Sequence, residues 1–285
     1  MLYILYKIGF LILRVTNIEG AYAVVSFFAT LQYHVSKRDR EIVKENLRTV
    51  LPEAGEKEIS FLAKNVFINF GKYLVDFFSP LTEDAEAMKK KVVFEGIENI
   101  DEVLRLGKGC IIVTGHFGNW ELGGYLFAKL GYKLNVVALD HSDQRINNFF
   151  IQKRKYAGVN IASIGNAKSH CLRALKRNEI VAIVGDRPYG ESGMDIQFFG
   201  KTARIPRGAA LFSIKTGAPL IITFAYKEDE KKMIYKMVFE KPVPIKKSAS
   251  AHERLREATQ YFINRFECYI RKHPSQWYMF NRIWA

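Results

Sequence analysis

Cysteine is scarce: three residues, Cys110, Cys171 and Cys268, are spread over 285 positions, and no two form a CxxC pair. That spacing builds neither a zinc knuckle nor a disulfide framework, and it suits a reducing compartment. No uninterrupted apolar run reaches the roughly 20 residues that a bilayer-spanning helix needs. No small-residue cleavage site follows a clean apolar core, so a secretory signal peptide is not expected. The GxSxG elbow of a serine hydrolase is absent, which removes the usual enzyme nucleophile for ester cleavage. Zinc-finger spacing, an RNP-like signature and a low-complexity basic tail are missing too, so nucleic acid is not an expected partner. Negative charge is in short supply: 29 acids stand against 43 Lys and Arg, a net charge of +14. A surplus of that size points to an anionic membrane, an acidic protein or an acidic substrate.

Aromatic residues are plentiful, with 21 Phe and 14 Tyr. They suit a greasy groove or a membrane-facing surface, and equally an aromatic core. Residues 1–35 are apolar and aromatic, broken by Lys7 and Arg14. On a helix those two cations share a face, with Leu2, Leu5, Phe10 and Leu13 elsewhere. That arrangement suits a helix lying in a membrane interface. Lys37, Arg38, Arg40, Lys44 and Arg48 would sit beside the same anionic surface. A helical hairpin packed on the rest of the chain is the other reading.

Helices are expected at 38–50 and 56–78, separated by Pro52 and Gly55, with Pro80 ending the second. Ile59, Leu62, Val66, Phe67, Phe70, Leu74 and Phe77 mark one apolar face of the second. Strand and helix patterns then alternate. Strands are expected at 91–95, 110–115, 133–139, 180–185 and 219–225, and helices at 97–106, 119–130, 145–156, 167–177 and 207–217. A further strand at 233–240 is expected antiparallel to the preceding one, and a helix at 251–272 closes the pattern. The expected class is α/β: a mostly parallel central sheet flanked by helices, with an N-terminal helical, membrane-associated region. Residues 1–80 form that region and 81–285 one continuous α/β region.

The chemistry concentrates at two strand ends, where open α/β sheets build their sites. The run Ile111-Ile112-Val113-Thr114-Gly115-His116 delivers a His, and Glu121 follows five positions later. A neutral imidazole takes a proton from an alcohol near neutral pH, and a carboxylate fixes its tautomer. Glu121 is the expected orienting acid. The second strand ends in Asp186-Arg187-Pro188; if the two strands are neighbours, Asp186 approaches His116. Backbone N–H groups of Gly118 and Asn119 are candidates for an oxyanion hole. The stretch from Tyr189 to Arg204 reads as a long loop. Arg187, Lys201, Arg204 and Arg207 crowd it, and Arg187, Arg204 and Arg207 are expected to bind phosphate or carboxylate.

GHFGNWE, then GDRPYG and FFGKTARIPRGAALFSIKTGAPL, then HPSQWYMFNRIW resemble, in order, the lipid A biosynthesis acyltransferases, the late acyltransferases of the glycerophosphate acyltransferase superfamily. The run KRDREIVKENLRTVLPE is similar to that family's amino-terminal helical region. The resemblance covers about residues 38–284. It places the family's His–x4–acid signature on His116 and Glu121, and a further Arg and Asp on Arg154 and Asp186. It implies a glycerophosphate-acyltransferase-like fold and an inner-membrane enzyme facing the cytoplasm. It implies transfer of a fatty acyl chain from acyl carrier protein or acyl-CoA to a hydroxyl of an anionic glycolipid. A lipid A precursor is the first expected acceptor and a phosphatidylinositol mannoside the second. The reaction needs no metal and no redox cofactor. Two rivals are a thioesterase on the same scaffold and a non-enzymatic basic protein of the membrane surface.

Overall fold

The computed structural model describes residues 16–78, 90–138, 143–187, 193–229, 233–246 and 250–284. The first apolar segment with Lys7 and Arg14, Pro80, Tyr189 and the tip of the polar turn at 230–232 lie outside them.

Three helices come first: α1 (Ile18–Val35), α2 (Lys37–Val50) and α3 (Glu56–Phe78). Asn17 caps α1 by accepting the Gly20 N–H at 2.9 Å, the role of a short polar side chain at that position. The apolar stripe of α3 is buried as its periodicity requires: Ile59, Val66 and Phe67 pack with Ala29 and Tyr33 of α1 and with Val43 and Leu47 of α2. No described helix is long and apolar enough to cross a membrane.

The alternating part follows as β1 (Val92–Glu95), α4 (Glu98–Leu104), β2 (Cys110–Thr114), α5 (Trp120–Lys129), β3 (Leu134–Ala138), α6 (Gln144–Tyr156), β4 (Asn160–Ser163), α7 (Ala167–Lys176) and β5 (Ile180–Val184). Then come β6 (Gly193–Phe198), β7 (Lys201–Pro206), α8 (Gly208–Thr216), β8 (Leu220–Asp229), β9 (Ile234–Phe239) and α9 (Ala251–Lys272). A 3-10 turn, Pro274–Gln276, leads into the final described segment. Among the described residues, seven strands make one sheet in the order β1-β9-β8-β2-β5-β3-β4. From β8 to β4 all neighbours are parallel. β9 runs antiparallel to β8 as expected, and β1 pairs parallel with β9.

Helices cover both faces. On one, Phe262 and Phe266 of α9 pack with Val113, Val181 and Phe224. On the other, Leu122 and Leu126 of α5 pack over Cys110, Ile112 and Ile221. Phe266 is 1% exposed, so its replacement by Ala should cost about 3–5 kcal/mol of stability.

Two features depart from the sequence reading. The edge strand β4 was not expected, and the stretch read as a long loop is mostly a hairpin. Phe198 pairs with Lys201 across a two-residue turn in which Phe199 (φ 51°) and Gly200 (φ 75°) both take left-handed backbone. Such hairpins usually carry Asn-Gly, so a Phe in the turn conceals it. The alternation was present, since Ile196, Phe198, Ala203 and Ile205 are all buried.

Candidate active site

β2 and β5 are direct neighbours with Thr114 opposite Val184. His116 and Asp186 each lie two residues beyond that pair, so register alone brings them together. His116 Nδ1 sits 2.7 Å from Asp186 Oδ1, and the His116 backbone N–H donates to Oδ2 at 2.8 Å. Trp277 Nε1–H donates to Oδ2 at 3.1 Å. Asp186 is fully buried. Burial alone would raise its carboxyl, but the His116 ring and these donors hold it below the usual carboxylate range. An ionised carboxylate only accepts, so the imidazole proton belongs on Nδ1 and Nε2 is left as the acceptor.

The carboxylate in contact with the imidazole is therefore Asp186, not Glu121. Glu121 lies in the first turn of α5 and turns to α6, where Arg154 grips it through Nε at 3.0 Å and through a second nitrogen. Both side chains are largely buried, at 11% and 14% exposure. A bidentate pair of this kind is a strong, oriented contact, and it uses both carboxylate oxygens. The edge of the Trp120 ring fills the space beside His116, 5.3 Å between centroids.

The backbone amides expected to hold an oxyanion are also committed elsewhere. Gly118 N–H donates to Gln276 O at 2.8 Å and Asn119 N–H to Ala225 O at 2.6 Å. The turn is pressed onto β8: Gly118 has φ 61°, and a Cβ there would lie 2.1 Å from Ala225 O. Only glycine fits that approach. The Asn119 side chain caps α5 through Leu122 N–H at 3.0 Å.

His116 opens on a cavity of about 770 Å³. Its walls are mainly apolar. Phe70, Tyr73 and Phe77 of α3 line it, as do Gly123 and Gly124 of α5, Phe150 of α6, and Met237 and Phe239 of β9. Glu121 and Arg154 line it too. Of the expected cation cluster, Arg187 and Arg207 reach the cavity wall. Arg187 also touches Asn281 Oδ1 at 3.3 Å. Arg204 does not line the cavity: it is half exposed and pairs with Asp195 across the β6–β7 hairpin at 3.1 Å. Alternation along β7 turns it outward. Lys201 bonds Thr49 at 3.1 Å, on α2. Lys168 at the start of α7 joins the lining instead, a residue that no motif singled out. Trp277, the donor to Asp186, stands within the HPSQWYMF run, with no local pattern that marks its role.

A His–carboxylate pair at the strand ends of an α/β sheet thus opens on a large, mainly apolar cavity. The chain belongs to the bacterial lipid A biosynthesis acyltransferase family, whose model matches residues 1–285. It is 24% identical over 275 residues to a phosphatidylinositol mannoside acyltransferase of Mycobacterium tuberculosis, covering 92% of this chain and 83% of the relative. The corresponding protein of Mycolicibacterium smegmatis is 21% identical, covering 90% of this chain and 84% of the relative. The lipid A biosynthesis palmitoleoyltransferase of Escherichia coli is 25% identical over 197 residues, covering 68% of this chain and 63% of the relative.

Proposed function

We propose that this acyltransferase moves a fatty acyl group from a thioester, carried by acyl carrier protein or coenzyme A, to a hydroxyl of a membrane glycolipid. The His116–Asp186 pair at the mouth of a 770 Å³ apolar cavity is the observation that carries this reading. His116 Nε2 takes the proton of the acceptor hydroxyl as its oxygen attacks the thioester carbonyl. Collapse of the adduct forms the ester and expels the thiol, which leaves with that proton. Asp186 holds Nδ1–H throughout and balances the transient imidazolium. Glu121 and Arg154 act as a fixed wall beside the base. The step needs no metal and no redox cofactor. A lipid A precursor is the first acceptor to test. A phosphatidylinositol mannoside is the second, favoured by the fuller coverage of the mycobacterial relatives. Purified protein incubated with acyl carrier thioester and each glycolipid separates the classes. Acylated lipid supports transfer, free fatty acid alone means hydrolysis, and unchanged thioester means neither.

Arg187, Arg207 and Lys168 give the cavity mouth a cationic rim suited to a phosphate, on the lipid or on the carrier's phosphopantetheine. Exposed charge pairs weaken as salt screens them. Arg187→Gln with Arg207→Gln should raise the Michaelis constant of the anionic substrate more than it lowers turnover, and should flatten the salt dependence of kcat/KM. Arg204→Gln, which alters a charge off the cavity, should leave both unchanged. Coincident salt curves for the double variant and wild type would remove the phosphate role.

Membrane attachment at the cytoplasmic leaflet of the inner membrane fits the surface of α1. Phe27, Phe28, Leu31 and Val35 are 67%, 59%, 51% and 75% exposed, and Phe61 of α3 is exposed as well. Lys37 and Arg38 stand exposed at the start of α2, while Lys44 and Arg48 are already paired with Glu56. Residues 1–80 are thus the proposed membrane-facing region and 81–285 the catalytic one. Ala29 and Tyr33 of α1 are buried in the helical core, so deleting the segment would unsettle the fold. Phe27→Ser with Phe28→Ser is the cleaner test. Binding to vesicles containing phosphatidylglycerol should drop while melting stays cooperative. Unchanged vesicle binding would count against an interfacial α1.

A further inference from the structure

We propose that Gln276, Lys227 and Asp76 are positioning residues that set the place of the His116 turn, an inference that rests on His116 being the base. Gln276 is the direct arm. Its side chain pairs with both backbone groups of Lys227, accepting the N–H at 3.0 Å and donating to the carbonyl at 2.8 Å. Its own carbonyl accepts the Gly118 N–H at 2.8 Å. Two residues on, Tyr278 N–H donates to His116 O at 2.8 Å. The residue between them, Trp277, donates to Asp186. One short segment thus holds the turn, the base and the acid that orients it.

That segment takes its position from the end of β8. There the β8–β9 ladder is irregular, with a register shift between Lys227 and Asp229. Lys227 is the last residue in regular register, opposite Tyr235, before that bulge, and its side chain adds a second hold on the strand end. The anchor is Asp76 of α3, which is 5% exposed. It accepts hydrogen bonds from Tyr22 of α1 and Tyr235 of β9. The Lys227 ammonium lies 3.5 Å from its Oδ2 and donates to Tyr22 Oη at 2.8 Å. It also sits 4.6 Å above the Tyr22 ring and 5.1 Å above that of Tyr235. A small chamber of about 20 Å³ lies among Asp76, Lys227, Gln276 and Asn119. The buried Asn119 Nδ2, without a partner among the described residues, belongs to the last residue of the turn.

A buried ion pair adds little net stability over apolar packing of similar volume. Its presence behind the turn is better explained by the geometry it imposes. Placement errors of an ångström can cost about 10²-fold in rate.

The test compares Lys227→Met, the double variant Asp76→Asn/Lys227→Met and Gln276→Asn with wild type. The double variant removes both charges and keeps an acceptor for one of the two tyrosines, while the hydroxyl of the other can accept from the new amide. Thermal melts, kinetics with palmitoyl carrier thioester and a glycolipid acceptor, and the downfield proton resonance of the His116 Nδ1–H···Asp186 bond are recorded for each. A His116→Gln sample assigns that resonance. The expected result is that Lys227→Met loses turnover with KM changed less than about twofold, and that its downfield proton shifts or broadens. The double variant should recover the melting temperature but neither the proton nor the turnover. If it recovers all three, the pair is only structural and the proposal fails. If neither pair variant folds, Gln276→Asn, which leaves the pair intact and shortens only the arm, decides by the same readouts. The resonance needs no substrate, so its behaviour is separable from failure of the acyltransferase reading.

Discussion

Replacing His116 by Ala should lower acyl transfer by about 10²–10⁴-fold while the protein stays folded, since general base catalysis supplies about that much. The side chain lost is 21% exposed, so some packing against the Trp120 ring goes with it, at the edge of a cavity that is already present. The backbone N–H to Asp186 is untouched by the change. Asp186→Asn should fall as far, or further, for a different reason: an amide does not force the proton onto Nδ1. In a serine protease triad the same exchange costs about 10⁴-fold. A folded His116→Ala protein turning over at the wild-type rate would sink the mechanism. Stability carries a second signature. The folded Asp186 carboxyl is held low, by His116 above all against the cost of burial. A depressed carboxyl stabilises the fold above its unfolded value, about 3.9, and that contribution is lost as pH falls through the lower folded one. Wild-type melting temperature should therefore drop steeply in that acid range. In His116→Ala the drop should be shallower, because the ring that depresses the carboxyl is gone.

Replacing Gly124 by Leu should shift the preferred acyl chain to shorter lengths by roughly four carbons, one for each carbon added to a close-packed space. Gly123 and Gly124 of α5 both face the cavity, but they differ in what a side chain would meet. A Cβ on Gly123 would stand 2.8 Å from Ala225 Cβ, so helix and sheet touch there. A Cβ on Gly124 would meet only Leu134 Cδ2, at 3.5 Å. Gly124 lines the cavity, so a longer side chain there takes up cavity space. Discrimination per misfitted methylene is worth about 1–3 kcal/mol, or 10–200-fold in kcat/KM. Chains that filled the wild-type cavity should thus become very poor donors. The helix itself should gain, because Gly is roughly 0.8–1.0 kcal/mol worse than Ala in a helix and Leu ranks next to Ala. A series of thioesters from eight to eighteen carbons reads the outcome. An unchanged length profile in a folded Gly124→Leu protein would mean that the acyl chain lies elsewhere.

Much of this arrangement was legible in the residues, and the parts that were not share a cause. β2 and β5 declare themselves because both faces are buried, leaving unbroken apolar runs that stop where His116 and Asp186 begin. β4 is four residues long at the sheet edge, with Asn160 exposed, and offers no pattern to read. Spacing along one helix start points from His116 to Glu121, but the ring meets Asp186. The true partner is 70 residues away, and Glu121 is claimed by an arginine 33 residues on. The Gly118 and Asn119 amides looked free for the same reason. Their acceptors belong to Gln276 and Ala225, and no local rule sees either.

That remoteness has a kinetic side. Asp186 meets His116 across 70 residues and Trp277 across 91. Contacts that close long loops form slowly and late, after local helices and hairpins. Partly folded chains of this protein should therefore own helices before they own a working base, since the β2–β5 pairing closes the same long loop. A protease nick between β5 and α9 would separate the two sides of the turn without removing any residue of the His116–Asp186 pair. Recovery of transfer activity after dilution from denaturant should lag behind recovery of the far-ultraviolet helical signal. The lag measures the time the chain takes to bring residues 276–278 back against 116–119.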